Sequence, residues 1–269
     1  MTDEYVMGRN TAETERLRVQ GDIFAEHSAH LFRLAGIAPG MRVLDVGCGA
    51  GDVSRLLSGI VGPAGSVLGV DVDAAVLDVA ATRADEAGLS NVSFMQADLR
   101  ELRLDEPVDA LAGRLILMHL PEPAETVRAL SHHVRPGGMV TFQECVLSRC
   151  RSVPPTPLLT KTAQWVFEAV RSGGADPDTG DRVSSILTAA GLPVRGIAAA
   201  GAGGLADSAM PGYFAATARS VLPLAVAHGL VSEAEAAIDD LEGRLAEEFR
   251  AAEATAWTAD LVAAWAEVA

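Results

Sequence analysis

The sequence contains little positive charge. Lys161 is the single lysine among its 269 residues, and 21 lysines and arginines stand against 36 aspartates and glutamates, a formal net charge of −15. A surface field of that sign repels a phosphate backbone unless one face carries a basic patch, and no run of lysine or arginine occurs. The composition therefore predicts that nucleic acid is not a partner.

Cysteines and long apolar runs are also scarce. Cys48, Cys145 and Cys150 form an odd, sparse set without C-x-x-C spacing, which argues against a disulfide framework and against a zinc site. No uninterrupted apolar stretch approaches the roughly 18 residues of a membrane span. The opening stretch MTDEYVMGRN lacks the basic and apolar regions of a secretory signal. These absences predict a cytoplasmic protein with reduced thiols and no membrane association.

The chain does show the alternating pattern of an α/β protein. Between residues 42 and 146, the apolar runs RVLDV, SVLGVDV, NVSFMQA, VDALAG and GMVTFQECV alternate with segments of helical length. Such alternation builds a parallel sheet with helices on both faces. A helical pattern over residues 1–35 precedes this core. After it, PVRGIAAA predicts a sixth strand, helical segments cover about 211–228 and 232–254, and the tail TADLVAAWAEVA fits a strand or a helix.

Three glycines, Gly47, Gly49 and Gly51, follow the first predicted strand in the stretch VLDVGCGAGDVS. In a doubly wound sheet, ligands bind beyond the carboxyl ends of the strands, and glycine lets backbone N–H groups approach a ligand closely. The G-x-G-x-G spacing differs from the G-x-G-x-x-G of dinucleotide sites, no GKS or GKT follows, and the preceding Asp45 would repel a pyrophosphate. The loop therefore favours a ligand that carries positive charge.

This glycine loop resembles motif I of class I S-adenosylmethionine-dependent methyltransferases. Four further segments match that family in order, namely VLGVDVD, FMQADLREL, DALAGRLILMHLPEP and LSHHVRPGGMVTFQE. The resemblance is dense over residues 42–146 and implies a Rossmann-like, doubly wound seven-stranded sheet, mostly parallel with the last strand antiparallel, with an N-terminal helical arm and an inserted helical lid. It implies residues 1–40 as the arm, 41–150 as the cofactor-binding core, and 151–269 as lid helices and the remaining strands of the same domain.

The resemblance also implies S-adenosyl-L-methionine as the cofactor and suggests a role for individual residues. Asp71 would accept hydrogen bonds from the ribose hydroxyls, since a carboxylate suits a vicinal diol. Asp98 and Leu99 would lie near the adenine, and Arg114 and Leu115 near the methionine end. The implied cofactor residues of the core are Asp45, Gly47, Gly49, Gly51, Asp71, Val72, Asp98, Leu99, Arg114 and Leu115.

Within the family, the chain resembles small-molecule methyltransferases of quinone biosynthesis and of natural-product tailoring. The stretch YVMGRNTAETERLRVQ is similar to the arm that closes over the cofactor in that group. Tyr5, Arg18 and Gln20 are therefore candidates to contact the methionine end, although a solvated helix face explains them equally well. A lid over the acceptor and ordinary core packing both fit a set of apolar residues, Trp165, Phe167, Met210, Tyr213 and Phe214.

Two residues are candidates for a general base, which helps when the methyl acceptor must lose a proton. His119 follows the fourth strand at the predicted cleft mouth and has an ordinary pKa of about 6.5, but closing the cofactor pocket or capping the next helix fits it as well. Glu144 ends the fifth strand and would point towards the cleft, as a base, as a ligand for a polar acceptor group or as a structural residue. We expect His132 and His133 to complement a helix dipole rather than to bind metal.

Three motifs that mark other acceptor classes are missing: an NPPY-like string, a catechol-type metal-ligand set and a PC motif. Their absence disfavours methylation of adenine or glutamine amino groups, magnesium dependence and cytosine C5 methylation. We predict in-line methyl transfer to a small, partly apolar metabolite, on oxygen, carbon or nitrogen, by a monomer or homodimer without a metal. The alternatives are a protein or pericyclase that binds the cofactor without transferring its methyl group, and an NAD-dependent oxidoreductase, which the loop spacing disfavours.

Overall fold

The computed structural model describes residues 11–269, and their side chains from Val19 onward. In this part of the chain the α-helices are α1 (Thr11–Leu34), α2 (Asp52–Val61), α3 (Ala74–Glu86), α4 (Pro123–Ser131), α5 (Pro157–Ser172), α6 (Val183–Ala189), α7 (Met210–Ala227), α8 (Glu233–Ala236) and α9 (Leu241–Ala251). The strands are β1 (Arg42–Val46), β2 (Ser66–Asp71), β3 (Val92–Gln96), β4 (Val108–Arg114), β5 (Val134–Val146), β6 (Arg151–Val153), β7 (Val194–Ala200), β8 (Gly203–Gly204), β9 (Thr255–Trp257) and β10 (Asp260–Glu267). Short 3-10 helices cover Leu117–His119, Leu147–Arg149 and Thr179–Arg182.

Seven strands form the main sheet, in the order β3-β2-β1-β4-β5-β10-β7. The pairs β1 with β2, β1 with β4, β2 with β3 and β4 with β5 are parallel, whereas β10 is antiparallel to β7. Six strands thus run parallel and the last runs antiparallel, which confirms the predicted fold class. The tail that fitted either a strand or a helix is the strand β10. Strand order reverses between β1 and β4, where doubly wound sheets bind ligands.

The central strands are apolar because helices cover both faces of the sheet. Alternate residues of a strand point to opposite faces, so the neighbours Val43 and Leu44 of β1 enter different cores. Val43 packs with Val67, Ala110 and, from the helices, Phe32 and Leu57. Leu44 packs in the other core, whose buried members include Leu111, Val140, Phe142, Val127 and Leu187. This two-sided burial holds the carboxyl end of β1, and the glycine loop that follows it, in a fixed position.

The chain separates into two compact units. The sheet unit comprises residues 25–144, 179–200 and 261–269, and the helical unit comprises the described residues up to 24 with 145–178 and 201–260. This division differs from the predicted boundaries at residues 40 and 150. It passes through α1 because the second half of this helix belongs to the sheet: Phe32 is fully buried in a core of the sheet unit. The sheet unit also contains β7 and most of β10, which the predicted boundaries had grouped with the lid helices.

The helical unit combines α5, α7 and α9 with a small sheet of strand order β6-β9-β8. The sequence did not predict this sheet because strands of two or three residues are too short to show a period. Aromatic side chains on the helices of this unit pack edge to face. Ring centroids lie 6.2 Å apart for Phe24 and Tyr213 and 5.3 Å apart for Tyr213 and Phe214. Within the described residues, no helix combines the length and the apolar character that a membrane span requires.

Candidate functional site

The glycine loop connects β1 to α2 through three residues in the left-handed region, with φ of 67° at Gly47, 51° at Gly49 and 81° at Gly51. The backbone N–H groups of Gly47 and Cys48 both donate to the carbonyl oxygen of Val70, over 2.8 and 3.1 Å. The loop is therefore folded back over the end of β2. Left-handed φ at three alternate positions explains the glycines, since other residues are strained there.

The three glycines differ in how closely other atoms pack against them. A Cβ atom at Gly47 would lie 2.5 Å from Cδ1 of Ile116, and one at Gly51 would lie 3.1 Å from Cβ of Ala80. At Gly49, a Cβ atom would meet no heavy atom of the described residues within 4 Å. Gly47 and Gly51 are thus required by close packing, whereas the backbone of Gly49 borders open space that a ligand can enter.

Asp71, at the end of β2, joins the glycine loop to the start of α3. Its Oδ2 accepts a hydrogen bond from the backbone N–H of Gly49 over 2.9 Å, and its Oδ1 accepts one from the N–H of Asp73 over 3.1 Å. A carboxylate oxygen has a second lone pair, so the two oxygens can still accept bonds from a diol. The next residue, Val72, has a side chain that is 60% exposed. An exposed branched side chain beside this acid is suited to contact a planar base.

Asp45 lies on β1 beneath the glycine loop and is fully buried. Ser54 on α2 donates its hydroxyl to Oδ2 over 2.6 Å, whereas Oδ1 finds no hydrogen-bond partner among the residues that the structure describes. Burial raises the pKa of Asp45 to about 7, against the opposing effect of the Ser54 hydrogen bond. A buried acid with one unsatisfied oxygen is suited to a cationic group, because burying an unpaired polar atom is costly.

Arg83 on α3 binds the glycine loop and the start of α2. This residue was not identified from the sequence. Its Nη1 donates to the carbonyl oxygen of Ala50 over 2.8 Å, and its Nη2 lies 2.5 Å from Oδ1 of Asp52 at the start of α2. Bidentate guanidinium contacts of this kind restrict geometry as well as adding energy. No sequence pattern indicated this pairing, because the two partners lie 31 residues apart on different helices.

The acid after β3, Asp98, has its carboxylate bound by a neighbour. Arg100 donates to Oδ1 through Nε over 3.0 Å and to Oδ2 through Nη2 over 2.5 Å. The side-chain hydrogen bond from Arg100 lowers the pKa of Asp98 to about 2. Asp98 therefore stabilises the turn after β3, and contact of Asp98 and Leu99 with adenine stays a prediction.

The exit of β4 carries the predicted residues Arg114 and Leu115. Arg114 donates from Nη1 to Oγ of Ser28 on α1 over 3.0 Å, and its charge lowers the pKa of the nearby Asp45. Leu115 has a φ of 56°, a left-handed conformation that is strained for leucine. Its N–H donates to the carbonyl oxygen of Gln143 over 2.9 Å. Strained residues of this kind concentrate at functional sites.

The two predicted bases differ in burial, since His119 is half-buried and Glu144 is fully buried. His119 lies in the 3-10 helix Leu117–His119, and burial lowers its pKa to about 4, so its imidazole is neutral at pH 7. Glu144 is fully buried, and its Oε1 accepts hydrogen bonds from the backbone N–H groups of Ile116 and Leu117, each over 2.8 Å. The Glu144 carboxyl group thus holds backbone inside the protein, and its role as a base or as a ligand for an acceptor stays a prediction.

Five predicted residues remain, namely Tyr5, Arg18, Gln20, His132 and His133. Gln20 is buried on α1 within the helical unit, and Tyr5 and the side chain of Arg18 lie outside the described residues. His132 lies at the C-cap position of α4, and Nε2 of His133 lies 3.1 Å from the carbonyl oxygen of Leu102. Among the side chains that the structure describes, from Val19 onward, no group of three or more histidines, cysteines, aspartates or glutamates is arranged to hold a metal ion.

Fold and site together define a class I Rossmann-like methyltransferase architecture. The crystal structure of YcgJ from Bacillus subtilis superimposes with a TM-score of 0.59 at 18% identity, covering 91% of this chain and 99% of that one. The crystal structure of the cyclase SpnF gives a TM-score of 0.50 at 20% identity, covering 90% and 82%. At such identities the two neighbours establish the fold alone.

Sequence comparison gives the family. The model of the methyltransferase domain family matches residues 37–191, more than half of the chain, and the chain belongs to this family. S-adenosyl-L-methionine is the cofactor that this assignment implies, as the motifs predicted.

Curated relatives support the resemblance to quinone-biosynthesis enzymes. A protein named ubiquinone/menaquinone biosynthesis C-methyltransferase UbiE, from Pseudomonas paraeruginosa, is 35% identical over 130 residues, which are 48% of this chain and 48% of that protein. The chain spans about half the length of the curated relatives it matches.

Proposed function

We propose that this protein transfers the methyl group of S-adenosylmethionine to a small, partly apolar metabolite. The observation that carries the proposal is the joining of the open glycine loop to Asp71 through the Gly49 hydrogen bond. This bond brings together bare backbone and an acid with remaining lone pairs, the two features that a nucleoside requires. The dense motif match over residues 42–146 supports the same cofactor.

The residues of the sheet unit fit this cofactor on two observations. Open space borders the backbone of Gly49, and Oδ1 of Asp45, which has no partner among the described residues, is available to accept a cationic donor. We assign the ribose hydroxyls to Asp71, the adenine face to Val72 and the amino-acid end to the region of Asp45 and Arg114. When bound, S-adenosylmethionine supplies an electrophilic methyl group on a sulfonium.

The protein's contribution to the reaction is then mainly alignment and the exclusion of water. Fixing two reactants in a productive geometry is worth about 7 to 11 kcal/mol, and the rigid loop between β1 and α2 provides one half of that geometry. His119 has a pKa of about 4, so it is a weak base that can orient a hydroxyl or a water molecule by hydrogen bonding. We therefore propose an acceptor whose nucleophilic atom is reactive enough to accept the methyl group without a general base from the protein.

The apolar character of the helical unit and the names of the relatives support a small, partly apolar acceptor. That unit contains a cavity of about 30 Å³ between α5 and α7, lined by apolar side chains such as Leu159 and Val166 and by the hydroxyl-bearing Thr217. A space of this size holds a small apolar group. The relatives are named C-methyltransferases, so an activated ring carbon is the first acceptor atom to test. The net charge of −15 disfavours nucleic acid.

Cofactor binding is tested by calorimetric titration of the protein with S-adenosylmethionine and S-adenosylhomocysteine. Asp71→Ala should bind both ligands at least about tenfold more weakly, the scale of losing charged hydrogen bonds. Asp78→Ala on α3 removes an equal charge from an exposed position and should bind normally. If the unchanged protein binds neither ligand, the proposed function is wrong.

Transfer itself is tested by incubating the protein with S-adenosylmethionine and a panel of quinols, phenols and enolizable small molecules. Mass spectrometry should detect S-adenosylhomocysteine and a product heavier by one methylene unit, with oxygen-, carbon- and nitrogen-linked products distinguished by fragmentation. If the cofactor binds tightly and remains intact while an acceptor is rearranged, the non-methylating alternative replaces methyl transfer.

A further inference from the structure

The buried carboxyl group of Glu144 on β5 holds a turn. Glu144 is fully buried, and its Oε1 accepts two backbone hydrogen bonds of 2.8 Å, from the N–H groups of Ile116 and Leu117. These two amides begin the 3-10 helix that follows β4. One side-chain oxygen therefore fixes the direction in which the chain leaves the sheet beside the glycine loop.

The turn held by Glu144 is one that the chain would not adopt by itself. Leu115 precedes the two amides and has a φ of 56°, where leucine is strained. The N–H of Leu115 donates to the backbone oxygen of Gln143 over 2.9 Å. Consecutive residues of β5 thus restrain this turn, Gln143 through its backbone and Glu144 through its side chain.

The turn after β4 also supports the glycine loop, through the apolar side chain of Ile116. Ile116 occupies the space that a Cβ atom at Gly47 would need, since its Cδ1 would lie 2.5 Å from that atom and its Cγ1 2.6 Å. Ile116 also lies against Gly113 near the end of β4. Any movement of the Ile116 backbone therefore moves a side chain that is in direct contact with the first residue of the loop.

We propose that Glu144 is a positioning residue for cofactor binding: its carboxyl group fixes the turn after β4, and through Ile116 the turn fixes the glycine loop. Glu144 touches neither cofactor nor acceptor in this role. The inference rests on the proposed function in one respect, that the loop binds S-adenosylmethionine. It replaces the expectation of a general base.

Two substitutions separate hydrogen bonding from charge at this position. Burial raises the pKa of Glu144 to about 8, and an oxygen of either the neutral or the ionised carboxyl group can accept both N–H bonds. Glu144→Gln keeps an accepting oxygen and removes the titration. Glu144→Leu has similar size and no acceptor, so the amides of Ile116 and Leu117 lose their partner. Val108→Ala, in the buried start of β4 at the opposite end of that strand, is the control for general destabilisation.

The experiment measures S-adenosylhomocysteine affinity by calorimetry and amide hydrogen exchange in the ligand-free proteins. Glu144→Leu should weaken binding by about tenfold or more, as expected when buried hydrogen bonds are lost, and should speed exchange at Ile116, Leu117 and Gly47–Gly51. Glu144→Gln should bind within about threefold of the unchanged protein, which is less than 1 kcal/mol. Val108→Ala should bind normally even where its melting temperature falls as much as that of Glu144→Leu.

Three outcomes would overturn the proposal. Normal binding by Glu144→Leu, unchanged exchange at Gly47–Gly51 in that variant, or an equal loss of affinity in Val108→Ala would each show that Glu144 does not position the loop. If Glu144→Leu fails to fold, Ile116→Ala replaces it, since it breaks the same link at the contact with Gly47. If the unchanged protein does not bind the ligand, the proposed function fails, and exchange at Gly47–Gly51 still decides the role of Glu144.

Discussion

The backbone N–H of Gly49 donates to Oδ2 of Asp71 over 2.9 Å, although 22 residues separate them in sequence. Gly49 lies in the loop after β1, and Asp71 ends the neighbouring strand β2. The bond makes the loop and the acid one rigid element, and it does so where the loop borders open space. A change at either residue is therefore expected to affect the other before any ligand is present.

The first prediction concerns Asp71→Asn. The asparagine amide retains one accepting oxygen, which can serve Gly49 or Asp73 but not both, because its NH2 group only donates. We expect faster hydrogen exchange at one of these two amides and a cofactor affinity between those of the unchanged protein and Asp71→Ala. Exchange rates and calorimetry measure both effects. An affinity for Asp71→Asn equal to that of the unchanged protein would show that the bidentate geometry of Asp71 is not needed.

The second prediction compares Gly49→Ala with Gly40→Ala. Both glycines have positive φ, 51° and 84°, and at both an added Cβ meets no atom within 4 Å in the part of the chain that the structure describes. Each substitution should lower the free energy of unfolding by about 1 kcal/mol, the cost of a left-handed conformation for a residue with a Cβ. Only Gly49→Ala should also weaken cofactor binding, because its methyl group enters the ligand's space.

Urea denaturation and calorimetry on the same two variants provide the readouts. Gly40 precedes β1 at the opposite end of the strand, so it controls for backbone strain. Equal affinities in the two variants would mean that the open space beside Gly49 is not where the cofactor lies.

The sequence predicted those parts of the fold that depend on local pattern. Apolar runs alternating with helical segments gave the strands of the parallel sheet, and the spacing of Gly47, Gly49 and Gly51 gave the loop, because positive φ at these positions leaves glycine as the unstrained choice. The tail was ambiguous because alanine favours helix while burial between two strands favours β10. Local pattern says nothing about such tertiary burial.

The parts that sequence reasoning missed are contacts between distant segments. Arg83 on α3 contacts Asp52 at the start of α2, and Ser28 on α1 accepts a hydrogen bond from the guanidinium of Arg114 on β4. Glu144 was predicted to face the cleft because it ends a strand. Its partners are the two backbone amides that follow the strained residue Leu115.

The third prediction follows from the protonation of Asp45. Burial raises its pKa to about 7 without ligand, so at pH 6.5 a large fraction of the protein holds this proton. A cationic ligand group beside Oδ1 stabilises the carboxylate and lowers the pKa. Binding of S-adenosylmethionine at pH 6.5 should therefore release a fraction of one proton, and affinity should rise between about pH 6 and pH 8.

Calorimetry in buffers of different ionisation enthalpy measures this release. Asp45→Asn should abolish it, and its residual binding should not vary with pH in this range. Proton release of the same size in Asp45→Asn, or no release by the unchanged protein, would contradict the assignment of a cationic ligand group to Asp45.

The fourth prediction concerns how stability depends on pH through Glu144. Burial raises the pKa of this carboxyl group from 4.5 to about 8 in the folded protein. The folded state therefore holds a proton that the unfolded state has lost across this range. The resulting contribution to stability is complete below about pH 4.5 and is lost as the pH rises towards 8, with a slope of at most about 1.4 kcal/mol per pH unit.

Glu144→Gln has no proton to lose at this position, so its stability relative to the unchanged protein should rise steadily from pH 5 to pH 8.5. Urea denaturation of the two proteins across this range measures the difference, and the contribution of Asp45, which is present in both, cancels. Parallel stability curves would show that the two N–H bonds from Ile116 and Leu117 outweigh burial and keep Glu144 ionised. In that case its carboxylate would still accept both bonds, and the turn after β4 would be held by a charge-assisted interaction throughout the pH range.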